Sequence, residues 1–150
     1  MFGIIDEKDR KILEILKENS SLSTHKISKK TLIPVTTVNN RIKKLRKEGV
    51  IKKYTIVVDE KKLGISLMAY VFVQVSLRDL KQSKLRISDL VKEIRKGPIV
   101  ESAENVAGDM DLVLKVRARD IDELKNYVLF NLSDMTGVEK TTTAIIMEHK

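Results

Sequence analysis

Apolar residues recur along this chain with two different periods, and the change of period divides it. In the first third they return every three or four positions. Ile12, Leu13, Ile15 and Leu16 gather on one face of a helix expected over 6–18. Its first turn carries Asp6, Glu7 and Asp9, carboxylates that favour the positive end of the helix dipole. Ser20 and Ser21 break it. Ser23 then reads as the N-cap of a short helix over 24–31, with Leu22 and Ile27 placed as a hydrophobic staple. Leu32 and Ile33 make a turn. Pro34 suits the first position of a third helix, where a missing N–H costs nothing, and Gly49 suits the left-handed residue that ends it after Glu48. At about 100° per residue, Val35, Val38, Ile42 and Leu45 fall within roughly 80° of arc and form its buried stripe.

Beyond residue 50 the period shortens. "VIKKYTIVVDEKKLG" (50–64) is β-branched and reads as a strand with a turn at 59–62, a wing or linker. "LMAYVFVQVS" (67–76) is a strand. A helix marked by Ile87, Leu90, Val91 and Ile94 follows, ended by Gly97 and Pro98. Strands over 99–106 and 112–118 flank the turn "GDMD" (108–111). Ile121, Leu124, Val128, Leu132 and Met135 mark another helix, Gly137 breaks it, and a strand over 139–148 closes the chain. The order βαββαβ is ferredoxin-like. The expected class is therefore α+β: a winged-helix-like helix-turn-helix domain at 1–50, a wing or linker strand at 51–65, and a ferredoxin-like domain at 66–150. Met68, Tyr70 and Phe72 alternate with Ala69, Val71 and Val73, so both faces of the first strand are apolar. Helices cover one; a second subunit is the expected cover for the other.

Charge sharpens the division. The net charge is +8, and residues 1–64 hold all of it, with 16 basic and 8 acidic side chains; residues 65–150 hold 13 of each. Within 25–53 the count is 10 basic to 1 acidic. A solvated lysine face would show the same helical pattern, but such segregation favours a polyanionic partner for the first half. On the third helix the outward side presents Thr36, Thr37, Asn40, Lys43, Lys44 and Lys47, flanked by Asn39 and Arg41. Thr and Asn can reach base edges, while Lys and Arg neutralise phosphates. Double-stranded DNA is the expected partner.

Little points to catalysis. Cysteine is absent, which removes disulfides, thiolate metal sites and a thiol nucleophile. His25 and His149 are the only histidines and form no pair, so no enzyme, cofactor or metal site is expected. No apolar run of membrane-spanning length occurs, and the N-terminus lacks a signal-peptide layout, so a cytoplasmic protein without membrane contact is expected. Few glutamines, no cysteine and many Lys, Ile and Glu fit a thermophile. The "GDMD" loop reads two ways. It is good hairpin chemistry, and it is also a place where N–H groups near Gly108 hold a carboxylate while Asp109 or Asp111 takes an ammonium.

Three phrases carry a resemblance. "IIDEKDRKILEILKEN", "VTTVNNRIKKLRKEGVIKKYTIVVDEKKLG" and "VAGDMDLVLKVRARDIDELKNYV" with "GVEKTTTAII" occur in the order and spacing of the Lrp/AsnC family, the leucine-responsive and asparagine-operon regulators of bacteria and archaea. The chain resembles that family over nearly its whole length. The resemblance implies a DNA-binding transcriptional regulator that forms homodimers and higher oligomers and often senses an amino acid. It places an effector at Gly108, Asp109 and Asp111, with Thr142 and Thr143 nearby. The chain departs from the family's common pattern at Leu32 and Pro34, where a small residue and a capping Ser are usual, and at Ala107, where Thr is. Two other readings share the pattern: a chromosomal protein that coats DNA without sequence preference, and the haem-biosynthesis decarboxylases that resemble the same family.

Overall fold

The computed structural model describes residues 5–147; His149, and the end of the strand expected to reach 148, lie outside them. The chain forms two compact units, one ending at Val58 and the next beginning at Asp59.

The first unit is built of α1 (Glu7–Glu18), α2 (Thr24–Thr31) and α3 (Val35–Lys47). Asp6 caps α1. Its carboxylate accepts the Asp9 N–H at 2.9 Å, and the Asp9 carboxylate accepts the Asp6 N–H at 3.2 Å, which satisfies two of the helix's orphan donors. The Ser23 hydroxyl caps α2 by accepting the Lys26 N–H at 3.3 Å. The turn into α3 is held by side chains: the Ser28 hydroxyl donates to the Ile33 carbonyl at 2.5 Å, and the Thr31 hydroxyl to the Ile27 carbonyl at 2.8 Å. Leu32 sits there in the left-handed region at φ 59°, almost fully exposed. Pro34 is the N-cap and not the first helical residue, because its ψ of 140° is extended. The chain leaves buried Ile33 extended before it coils, and proline offers no acceptor for the first N–H groups. Gly49 takes the left-handed position expected of it, at φ 73°. Ile12, Leu16, Ile27, Ile33 and Val38 form the core.

Residues 52–58 do not form the strand expected there. Their β-branched composition favours extended backbone, but a strand exists only where a neighbour pairs its N–H and C=O groups, and none does among the described residues. A single 3-10 turn, Glu60–Leu63, follows.

The second unit is the antiparallel sheet β2-β3-β1-β4, made of β1 (Leu67–Val75), β2 (Val100–Asn105), β3 (Leu112–Ala118) and β4 (Val138–Ile145). The helices are α4 (Leu77–Gln82), α5 (Ile87–Ile94) and α6 (Ile121–Asn126). This is the ferredoxin-like order expected from the sequence, with two local departures. Helix α4 was not foreseen. Ser76 caps it and buried Leu80 is its one apolar anchor, too few for a period to show. The last helix also changes pitch: Tyr127–Leu132 is a π-helical turn, and the Ser133 N–H reaches back five residues to the Val128 carbonyl at 3.0 Å. Gly137, at φ 96°, lets the chain enter β4 where a side chain would run into Leu80.

Helices cover one sheet face, where Ala69, Val71 and Val73 are fully buried. On the other face Tyr70 lies open and Phe72 is half-buried between Val113 of β3 and Thr142 of β4. Around them Arg117 pairs with Glu60 and Glu101, and Lys115 with Glu101 at 3.2 Å.

Candidate nucleic-acid interface and effector loop

Helix α3 buries Val38 and Leu45, and this sets which residues face outward. Thr36, Asn39, Asn40, Lys43, Lys44 and Lys47 are exposed, and Thr37 is half-exposed. Lys44 lies 4.0 Å from Glu48; Lys43 and Lys47 have no acidic partner among the described residues.

The two arginines at the flanks of that outer stripe are used differently from the lysines. Arg41 does not face the open side. Its guanidinium donates to the Asp6 carboxylate and lies 3.2 Å from that of Asp9, so it ties α3 to the N-terminus of α1. Asp9 is buried, and a buried carboxylate needs such a partner. Arg41, expected among the DNA contacts, is engaged in these ion pairs within the unit. On the opposite flank, the Arg46 guanidinium lies 5.8 Å from the centre of the Tyr54 ring. With its arginines anchored, α3 offers a stripe of small polar side chains followed by ammonium groups, of which Lys44 alone has an acidic neighbour among the described residues.

The cluster at α1 has a pH signature. The Asp9 N–H, and then the Arg41 guanidinium, hold the Asp6 carboxyl below its usual range. A depressed carboxylate contributes stability above its unfolded value of about 4, and this is lost as pH falls through the lower folded value. Asp6→Asn keeps the capping oxygen and removes the charge. Its melting midpoint should therefore lie below that of the wild type at pH 7, and the gap should close below about pH 4. Calorimetry across that range checks it; a gap that persists in acid would exclude the ion pair as its source.

The loop between β2 and β3 is the second site read from sequence. Gly108 adopts φ 155°. Gly108 and Asp109 are exposed, and the Asp109 side chain makes no bond to the described residues. Asp111 is otherwise engaged. Its carboxylate accepts the Val75 N–H at 2.8 Å, its N–H donates to the Val73 carbonyl at 3.0 Å, and its carbonyl accepts the Val106 N–H at 2.9 Å. It fastens the loop to β1 beside the bulge at Gln74 and Val75. Thr142 and Thr143 point to opposite faces of the sheet, as successive strand residues must. Thr142 pairs with Phe72 on the open face, which also carries Gln74, and the Gln74 amide approaches the Asp109 carbonyl at 3.5 Å. Thr143 pairs with Val71, on the helix-covered side. Gln74 and Thr142 thus share the open face, where Gln74 reaches the Asp109 backbone, and Thr143, exposed on the same edge strand, faces the other way. Gln74 was missed from sequence, although its place two residues after Phe72 on an alternating strand put it on the open face.

Known proteins match both parts of the chain. Residues 5–52 match the winged helix-turn-helix DNA-binding model, and residues 70–150 match the Lrp/AsnC ligand binding domain. The HTH-type transcriptional regulator FL11 of Pyrococcus furiosus is 35% identical over 100% of this chain and 95% of its own length. Among solved structures, LrpC of B. subtilis superposes with a TM-score of 0.81 at 27% identity, covering 99% of this chain and 98% of LrpC. The transcriptional regulator NMB0573 of Neisseria meningitidis, solved as its L-Met complex, shares the fold with a TM-score of 0.86 at 23% identity, covering 97% of this chain and 91% of the other. No helix among the described residues is long and apolar enough to cross a membrane. A DNA-reading helix unit and a ligand-binding sheet unit in one chain, matched along its whole length, make this protein a transcriptional regulator that belongs to the Lrp/AsnC family.

Proposed function

We propose that this regulator acts as a homodimer in the cytoplasm, reads duplex DNA with the outer stripe of α3, and responds to a free amino acid at the 108–111 loop. The observation that carries the DNA reading is the sorting of side chains on α3. Thr36, Thr37, Asn39 and Asn40 lie towards its N-terminal half, and Lys43, Lys44 and Lys47 towards its C-terminal half, exposed and without a close acidic partner except at Lys44. A helix entering the major groove reads bases with its first turns and holds phosphates elsewhere. Asn40→Ala is therefore expected to cost about 1–3 kcal/mol on the preferred operator and little on random DNA, because Asn can pair with adenine in two hydrogen bonds. Parallel titrations of the two DNAs test it. Equal losses on both would leave the protein a coating protein and remove base reading from Asn40. A dimer should also protect two half-sites about 34–36 Å apart, or a multiple of that spacing.

The open sheet face supports the homodimer. Tyr70, Phe72 and Val113 form an apolar centre, and the Lys115, Arg117 and Glu101 pairs lie beside it. A second copy meeting it face to face would bury the aromatics and bring each ion network alongside its counterpart.

At the loop, Asp109 would take the ammonium of an amino acid, and the Thr142 hydroxyl with the Gln74 amide would take polar atoms beside it. Asp111 would act by shaping the loop. Calorimetry with each of the twenty amino acids is expected to give a dissociation constant of about micromolar to millimolar for at least one. Asp109→Ala should abolish that heat and leave DNA binding by the dimer in place. No heat from any amino acid, or unchanged heat in the variant, would make the loop a hairpin turn only.

A further inference from the structure

We infer that Tyr54 is a positioning residue for DNA binding: it clamps the segment after α3 against Arg46 and so presents Lys52 and Lys53 beside the reading helix. This inference rests on the DNA-binding function read above.

Three contacts lead to it, all within the first unit. Gly49 turns the chain back at φ 73°. The Ile51 N–H then donates to the Leu45 carbonyl at 3.0 Å, and the Ile51 side chain packs on the core of the three helices. Three residues later the Tyr54 ring lies under the Arg46 guanidinium, 5.8 Å from carbon to ring centre. The chain is thus pinned at both ends of a two-residue span, and that span is Lys52-Lys53, exposed and without an acidic partner among the described residues. Arg46 stands one helical turn from Lys43 and two from Asn39, on the flank of the outer stripe. The clamp therefore holds two further ammonium groups next to those of α3. A cation over an aromatic face keeps its full charge, so Arg46 remains able to meet a phosphate with its N–H edge while it holds the ring.

The chemistry of the contact also fits a clamp. Among the described residues, 52–58 make no ladder bonds, so the Arg46–Tyr54 contact is the hold on the chain that follows Ile51 in this unit. Ordering two long side chains and their backbone at the moment of binding costs conformational entropy that a pre-set segment avoids.

The test is a double-mutant cycle on the full-length protein, with DNA affinity measured over a range of salt. Lys52→Ala with Lys53→Ala should flatten the plot of log K against log[salt] by about two per subunit. Tyr54→Leu should lower affinity by about 2- to 5-fold per subunit, the size of an exposed cation–π contact. Tyr54→Phe, which keeps the ring, should restore it. In the lysine-free background Tyr54→Leu should have no further effect, because the groups it positions are gone. Equal losses in both backgrounds, or failure of Phe to rescue, would overturn the positioning role. An unchanged slope without the lysines would remove them from the interface. A slope near zero in the wild type would instead strike at the DNA-binding reading itself, which separates the two failures.

Discussion

DNA binding by the intact dimer is expected to fall by about 10³- to 10⁵-fold between roughly 50 and 200 mM salt. The reason is where the charge lies. All of the +8 net charge belongs to residues 1–64, and the exposed side of α3 concentrates it. Each phosphate neutralised releases condensed counterions, so a dimer meeting about six to ten phosphates should show a slope of roughly −5 to −9 in log K against log[salt]. The structure orders the individual contributions. Lys43→Ala and Lys47→Ala should each flatten the slope by about one per subunit. Lys44→Ala should flatten it less, because Glu48 lies 4.0 Å away and already shares that charge. Arg41→Ala should instead act through the fold, because it strips buried Asp9 of its partner. Its melting transition should drop while the salt slope of the folded fraction stays near that of the wild type. A steep loss of slope on removing Arg41 from a protein that remains folded would return it to the DNA contacts.

The second large effect is expected from the sheet. Phe72→Arg should convert the dimer to a monomer and weaken binding to a two-half-site operator by about 10²- to 10⁴-fold, the gain that linking two reading helices provides. Phe72 is half-buried at the centre of the open face, between Val113 and Thr142, so the change leaves the helix-covered core untouched. A buried unpaired guanidinium at a self-complementary interface is met by its own symmetry mate, which makes the cost twofold. Phe72→Leu should stay dimeric. Sedimentation equilibrium gives the mass and operator titration the affinity. A dimer that survives Phe72→Arg with unaltered DNA binding would move the interface away from this face.

Much of this architecture is written in local pattern. The stripe Val35, Val38, Ile42, Leu45 settles which side of α3 faces water, because an amphipathic helix has one way to bury its apolar arc. The cap Ser23, the break at Gly49 and the alternation of Ala69, Val71 and Val73 are readable for the same reason: each depends on residues within a few positions of one another, whereas Asp6, expected inside the first turn of α1, proves to be its cap. The opposite facing of Thr142 and Thr143 was also legible, since strand side chains alternate. The family resemblance named them as a pair, and the period separates them.

What the tertiary structure alone decided are pairings between distant residues. Arg41 looks like one more cation beside Lys43 and Lys44, and only the docking of α1 brings Asp6 and buried Asp9 to it. Asp111 looks like a ligand for an ammonium until the β-bulge leaves the Val75 N–H in need of an acceptor. The β-rich segment 52–58 reads as a strand, yet no ladder forms among the described residues, because propensity chooses the backbone conformation and only a neighbouring strand can satisfy its hydrogen bonds. The helix after Ile121 keeps its apolar period in sequence, but from Tyr127 it widens to a π turn in which Tyr127, Val128 and Leu132 are buried. Short-range order follows from propensity and periodicity. The assignment of each charged side chain to fold or to function waits on what the folded chain sets beside it.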